Sequence, residues 1–529
     1  MAVNMMTGSD KRIGIMKNTT YRFTKRDWLI AALLFLLVLF LCACRLKRGL
    51  FHWGDDHAAY INEGIAIAEG RFDEQTELNY FYHPTALPDE AQNGRLIYAW
   101  GYPLLMAVIY KVFGFDRIHF STIIFYKIPS LLCLALTCSV LYLFYKRRLP
   151  ASLAAGAAAI FCLNYDIIGF VNGLYSDLVF LFFQMLTLLL MECYAERADE
   201  EKPPYALAIV FGISLLMTYA TRLNGPAACV IALLGHCFIL WKRRGSGKQR
   251  LLRHALPYLI FLLLAILIEH FWLAPATGNA SDIDGTRVWK LTLFYLKSIG
   301  EFFGQIYGQF YYVGYVLAML SVLGFFTNGL RENAHLSLLL VGTWIVLILL
   351  PYHQGLRYLL NVLPLMIMYG FYGLLFVLKK LLPDTISVKK RKVFLLVLGI
   401  LIVIYPLRSQ TIASIHLLSD RDLIGEYDVY SPDAVETYRF IQAATPKDAV
   451  ICFAKPRLLY LNTQRLSFRY NANGHRLDEA DYYLVNKRTE LESNLIEKTD
   501  VPMELVMENE GFALYSIQKD VSFDEMDHS

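Results

Sequence analysis

Apolar stretches close to the length that crosses a bilayer recur along this 529-residue chain and decide its fold class. They run at roughly 28–44, 119–144, 151–170, 175–194, 205–220, 226–241, 254–273, 309–327, 335–351, 357–378 and 392–407. About 20 apolar residues span the hydrocarbon core as a helix. Within lipid each backbone N–H and C=O must be satisfied inside the segment, which selects helices. Only 18% of the residues are charged and 56% are hydrophobic, against about a quarter charged in a soluble domain. The chain reads as a polytopic α-helical membrane protein. Its basic clusters lie between apolar runs, so nothing resembles a nucleic-acid surface. Eight of the nine cysteines fall in or beside those runs, where they read as packing residues.

One further apolar stretch, 98–115, contains Gly101 and Pro103, and charge decides whether it crosses. Lys146–Arg148, Lys242–Arg244 with Lys248, Arg250 and Arg253, and Lys379–Lys380 with Lys389–Lys392 belong on the cytoplasmic side. With a cytoplasmic N-terminus, all fall inside only if 98–115 lies in the interface. The expectation is about eleven spans, the N-terminus inside and the C-terminus outside. A basic N-terminal segment covers 1–27, a transmembrane module 28–407, and an extracytoplasmic α/β domain 408–529. Outer loops fall at 45–118 and 274–308. Leu41-Cys42-Ala43-Cys44 loosely imitates a lipoprotein cleavage site, but an uncleaved first span is preferred. In the tail, Ser431-Pro432-Asp433 opens a helix through about Ala444, with Ser as N-cap and Pro at the first position. Ala449–Phe453, Tyr482–Val485 and Phe512–Ile517 read as strands.

Polar residues at outer span ends are the candidates for chemistry. Gly54-Asp55-Asp56 follows the first span and precedes an apparent helix from His57 to Glu69 that stops at Gly70. An N-cap accounts for one Asp; the second points to a general base. Asp177 opens a span as either part of a cap, with Ser176 the preferred capping residue, or a second functional carboxylate, a role Asp166 could fill instead. Arg222 and Arg357 either snorkel or clamp a phosphate in bidentate fashion. Tyr352 and His353 flank Arg357, and His57, His83, Glu269 and His270 face the same compartment without metal-site spacing. Tyr307, Tyr311, Tyr312 and Tyr315 read as an aromatic belt or, alternatively, as a sugar-stacking surface.

In order along the chain, these segments resemble the GT-C glycosyltransferases, the multispanning enzymes that use polyprenyl-phosphate-linked sugars. The branch with protein O-mannosyltransferases and the lipid A aminoarabinose transferase is the most similar. Trp53-Gly54-Asp55-Asp56 through Tyr60 to Glu69-Gly70-Arg71 resembles its acidic pair, following Tyr and closing Gly. Tyr102-Pro103-Leu104-Leu105 through Val112-Phe113-Gly114 resembles its juxtamembrane helix. Tyr175-Ser176-Asp177, Thr221-Arg222-Leu223-Asn224-Gly225 and Leu356-Arg357-Tyr358-Leu359-Leu360 with Pro364 match three further elements. Trp100-Gly101-Tyr102-Pro103 replaces the Lys-Pro-Pro or His-Pro-Pro of better-known members, which leaves sugar and acceptor open.

The resemblance implies an inverting glycosyltransferase in the plasma membrane that moves a sugar from a polyprenyl-phosphate carrier to an acceptor hydroxyl at the outer face. It implies catalytic Asp56, Asp55 and Asp177, with Asp56 slightly ahead of Asp55 because it precedes Tyr60 by the family's spacing, and substrate or phosphate contacts at Arg357, Arg222, Tyr60, His83 and Tyr102. The acceptor is a lipid, glycan or protein; no cofactor and no metal are expected. The competing readings are a flippase or transporter, which would place ionisable groups at the midplane, a glycan polymerase or ligase, and a structural subunit indifferent to loss of both acids.

Overall fold

A computed structural model of the chain describes residues 21–49, 55–82, 98–113, 122–201, 203–243, 248–271, 285–349, 355–381, 386–419, 428–470, 477–488 and 501–518. The helices run α1 (Lys25–Arg45), α2 (Asp56–Glu69), α3 (Phe72–Tyr82), α4 (Gly101–Phe113), α5 (Ile128–Lys146), α6 (Ala151–Cys162) and α7 (Tyr165–Gly169). They continue as α8 (Asp177–Arg197), α9 (Tyr205–Thr221), α10 (Gly225–Lys242), α11 (Lys248–Phe271), α12 (Gly285–Gln305), α13 (Tyr311–Gly324) and α14 (Ala334–Leu349). A short α15 (Leu356–Leu359), then α16 (Leu363–Leu381) and α17 (Val388–Ser419), complete the membrane region. Among the described residues, eight helices are long and apolar enough to cross a bilayer, and α4, α6, α9 and α14 are shorter apolar ones.

Burial separates an inner pair from a rim. Windows in the Ile123–Lys146 and Asp177–Arg197 helices are 72% and 78% buried, against 17% for Gln249–His270 and 22% for both Gly308–Gly329 and Lys389–His416. The rim helices therefore turn their apolar side chains outward, as a lipid-facing surface requires. Local signals explain the ends. Thr24 Oγ1 accepts the Asp27 N–H at 3.2 Å while Asp27 Oδ2 accepts the Thr24 N–H at 2.9 Å, a reciprocal cap that starts α1. Gly70 ends α2 at φ +74°, a left-handed conformation that favours glycine.

The basic clusters collect at one end of the bundle. Arg147 and Arg148 pair with Glu192 near the end of α8. Arg243 donates to the Ala195 carbonyl, and Arg250 pairs with Asp199 at 3.0 Å. Ser152 Oγ donates to the Leu395 carbonyl at 3.3 Å, which brings the start of α17 to the same end. Asp56, Asp177, Arg222 and Arg357 lie at the other end. There α4 has both its termini: a Cβ on Gly101 would lie 2.8 Å from the Ala220 carbonyl oxygen, and Phe113 meets Phe125, just before α5, at 4.4 Å.

The tail holds α18 (Pro432–Ala444), capped by Ser431 Oγ accepting the Ala434 N–H at 3.4 Å, and α19 (Pro456–Thr463). Its sheet has the order β2-β1-β3-β5-β4, from β1 (Val450–Cys452), β2 (Leu466–Phe468), β3 (Tyr482–Asn486), β4 (Met503–Glu508) and β5 (Phe512–Ile517). β1 runs parallel to β2 and β3, while β5 is antiparallel to β3 and β4. Val429, Tyr430, Leu458 and Leu461 join Ala58, Tyr60, Ile61 and Tyr102 in one apolar core, so the tail is packed onto the acid helix.

Four segments depart from the expected pattern. The 274–308 loop contains helix α12, which buries Leu291, Tyr295, Ser298, Ile299, Phe302 and Phe303 on one face. The 151–170 run breaks at Asn164, whose side chain accepts the Asp166 N–H at 2.9 Å and caps α7. The 357–378 run breaks between α15 and α16. The last helix runs beyond 407 to Ser419, because nothing after Pro406 interrupts it and Gln410 finds Arg45 at 2.5 Å.

Candidate active site

Asp56 is the first residue of α2, and its side chain is 39% exposed. The Tyr98 hydroxyl donates to Asp56 Oδ1 at 2.8 Å. Burial, reinforced by the Asp56 charge, holds the Tyr98 phenol well above its ordinary pKa, so it stays a donor. Across the site, Arg357 Nη1 stands 4.0 Å from Asp56 Oδ2.

Asp177 lies beneath, with its side chain 1% exposed. Arg357 grips Asp177 Oδ2 through Nη2 at 2.9 Å and Nε at 3.1 Å, and Arg222 Nη1 donates to Asp177 Oδ1. One buried carboxylate thus fixes two guanidinium groups, and Asp177's charge holds the Arg357 guanidinium above its ordinary value against the opposing effect of burial. The Arg357 guanidinium also lies 4.0 Å from the Tyr175 ring centroid, and Arg222 lies 5.3 Å from that of Tyr358. Such stacking holds a cation while leaving hydrogen-bonding edges free.

Tyrosines form the floor. The Tyr60 ring meets Tyr98 at 4.5 Å and Tyr102 edge-on at 4.8 Å. The Tyr60 hydroxyl is 3.3 Å from Ser176 Oγ, and the Tyr102 hydroxyl is 3.4 Å from Ser130 Oγ. Neither is fully exposed to the space above: Tyr102 is completely buried and Tyr60 nearly so. They orient the acid helix from below. Ser176 was read as a cap for α8, but its hydroxyl serves Tyr60 and makes no cap bond.

Asp56, Asp177, Arg222, Arg357, Tyr60 and Tyr102 therefore come together. Asp55 does not face them. It occupies the N-cap position of α2 without capping it; Oδ1 accepts the Leu458 N–H at 3.1 Å and Oδ2 stands 3.7 Å from Arg457. Burial pushes its carboxyl up, opposed by the Arg457 charge. Asp166 lines a separate cavity of about 580 Å³ with Glu301, Gln305, Tyr311 and Tyr315. His83, Tyr352 and His353 lie outside the described residues. Among those described, no three His, Cys, Asp or Glu side chains gather closely enough to hold a metal ion. Tyr98 was missed as a site residue because nothing local marks it; Tyr175 and Tyr358 were visible in the motifs, adjacent to the charged residues they support.

No protein-family model and no curated protein matches the sequence. Solved structures do match the fold. ArnT from Cupriavidus metallidurans bound to undecaprenyl phosphate aligns over 93% of this chain and 98% of its own, with TM-score 0.51 and 11% identity. The archaeal oligosaccharyltransferase AglB from Archaeoglobus fulgidus, in complex with an inhibitory peptide and a dolichol-phosphate, aligns over 94% of this chain and 74% of its own, with TM-score 0.52 and 11% identity. At such low identity the likeness speaks for architecture, and on that basis this chain has the GT-C fold.

Proposed function

We propose that the protein is an inverting glycosyltransferase that takes a sugar from a polyprenyl-phosphate carrier at the outer face of the membrane. The observation that carries this reading is the half-open carboxylate of Asp56 facing an arginine pair fixed by Asp177. Asp56 takes the proton of the acceptor hydroxyl as its oxygen bonds to the anomeric carbon. The bond from that carbon to the phosphate oxygen breaks, and its electron pair stays on the phosphate. Arg357 and Arg222 stabilise the charge that develops there. Asp177 keeps the two cations aimed and touches no proton in flight. Tyr98 orients Asp56 through its hydroxyl.

Topology supports the sidedness. Positive charge favours the cytoplasm, and the basic clusters gather at the end opposite Asp56. Both ends of α4 meet the acid end of the bundle, so it lies along that face instead of crossing. On this reading α6, α9 and α14 cross together with the eight long helices, and an odd total of eleven spans carries the tail to the outer side.

The test pairs purified protein with radiolabelled polyprenyl-phosphate sugars and compares wild type with Asp56→Asn. Sugar release or transfer that collapses in the variant while donor binding persists is the expected result. Undiminished turnover in Asp56→Asn would sink the assignment, and donor binding without turnover in either protein would favour a carrier.

A further inference from the structure

The two adjacent acids diverge toward arginines from two different regions of the chain: Asp56 faces Arg357 in the membrane region, and Asp55 faces Arg457 in the tail. The tail contact has a definite form. Helix α19 begins with Lys455 at its N-cap, Pro456 at its first position and Leu458 at its third. Helix N-termini leave backbone N–H groups without partners, and an N-cap side chain normally accepts one at the second or third position. Lys455 makes no such bond. Asp55 supplies it from 403 residues away, accepting the Leu458 N–H at 3.1 Å. Asp55 also occupies the N-cap of its own helix and leaves that role unfilled. The same junction carries Asn62 Nδ2 donating to the Arg457 carbonyl at 3.2 Å and Tyr460 donating to Glu74 at 3.3 Å. Arg457 is 6% exposed, and Leu458 and Leu461 enter the core around Tyr60 and Tyr102.

We infer that Asp55 and Arg457 are positioning residues: by capping the tail helix α19, Asp55 clamps the first turn of α2 and so aims Asp56 at the Arg357 site. This rests on the transferase reading and adds to it that the tail domain is a working part of the active site. Asp55 is held at the start of α2, one residue from the base, so loosening the clamp lets the base swing. A displacement near 1 Å lowers turnover by about a hundredfold. The arginines that would hold the donor phosphate come from α15 and from the end of α9, where Asp177 holds both.

The experiment uses full-length purified protein in four variants: Asp55→Ala, Asp55→Asn, Arg457→Ala and Arg457→Lys. Initial rates are measured against a radiolabelled polyprenyl-phosphate sugar, with hydrogen exchange of the 456–463 amides as a readout independent of activity. Asn caps helices as well as Asp, so Asp55→Asn keeps the Leu458 bond, while Arg457→Lys keeps the charge. The expected result is a fall in kcat of about 10- to 100-fold in both Ala variants at unchanged donor KM. Asn and Lys should restore most of it, and exchange at Leu458 should quicken in Asp55→Ala. Asp55→Asn as dead as Asp55→Ala, beside a fully active Arg457→Ala, would place proton transfer on Asp55 itself and overturn the proposal. Full activity in both Ala variants would overturn it as well. A wild type that transfers no sugar, with faster exchange in Asp55→Ala, would strike the transferase reading and uphold the clamp.

Discussion

Helix α8 carries a charged cluster at each end, and the two are built from the same residue types to opposite effect. At the basic end, Arg147 reaches Glu192 at 3.0 Å and Glu196 at 2.6 Å, while Arg148 pairs with Glu192. His335 Nε2 lies 2.8 Å from Glu192, and Arg148 Nε donates to Asn333 at 3.0 Å, whose Nδ2 donates to the Tyr372 hydroxyl at 3.2 Å. The Arg147, Arg148, Glu192 and His335 side chains are all below 10% exposure. This network is closed: acid and base saturate one another and join α5, α8 and α14. At the other end, Asp177 is as buried, but it shares its charge between Arg222 and Arg357, and Asp56 opposite is 39% exposed. A closed cluster holds helices together. An open one leaves a cation edge and a carboxylate for something else to meet.

The difference predicts where damage falls. Asp56→Asn should lower turnover by about 10²- to 10⁴-fold, the range for a lost general base, with little change in thermal unfolding, because Asp56 is half open to solvent. A radiolabel transfer assay beside a melting curve checks both. Glu192→Gln should do the reverse. It leaves Arg147, Arg148 and His335 buried without their shared anion, and breaking a buried pair that way destabilises by about 3–5 kcal/mol. Surviving protein should retain its donor affinity. A stable Glu192→Gln enzyme with lost activity would break the comparison.

How much of this was legible depended on whether a signal was local. The acid pair, the Ser-Asp step and both arginines could be placed at span ends from the runs and charges alone, and Asp56, Asp177, Arg222, Arg357, Tyr60 and Tyr102 do converge. The partner of each could not be read. Asp55 and Asp56 are chemically identical neighbours, and only an arginine some 400 residues further on separates their roles. Helix α12 was legible and overlooked. Leu291, Tyr295, Ser298, Ile299, Phe302 and Phe303 recur at helical spacing, but Lys297 and Glu301 interrupt them and leave no apolar run of spanning length to draw the eye. Strands β2 and β4 escaped because one is three residues long and the other, Met503–Glu508, lies mostly exposed at the sheet edge.

Arg357→Lys sharpens the contrast at smaller amplitude. Lysine keeps the charge but cannot hold Asp177 with two N–H groups and present a third edge toward Asp56. Losing one charge-assisted hydrogen bond, worth about 1.5–3 kcal/mol, should weaken kcat/KM for the lipid-linked donor roughly ten- to a hundredfold. The corresponding Arg148→Lys change in the closed cluster should appear in the melting temperature and leave transfer kinetics alone.

The smallest expected effect concerns the third carboxylate–arginine pair, Asp55 with Arg457, whose side chains are 18% and 8% exposed and which sits between the two types. Burial raises the Asp55 carboxyl in the docked state, and Arg457 opposes that rise. In Arg457→Ala the opposition is gone, so the folded value climbs further above the undocked one. A carboxyl raised on docking favours the docked state while protonated and penalises it once ionised. Tail docking in Arg457→Ala should therefore weaken as pH rises through that elevated range, whereas the wild type, with its cation in place, should change less. Hydrogen exchange of the 456–463 amides across a pH series, corrected for the intrinsic rate, measures the slope. A clamp that weakens with falling pH would put Asp55 among the closed pairs, ionised and held by charge; a slope in the expected sense makes it a carboxyl governed by burial once its cation is removed.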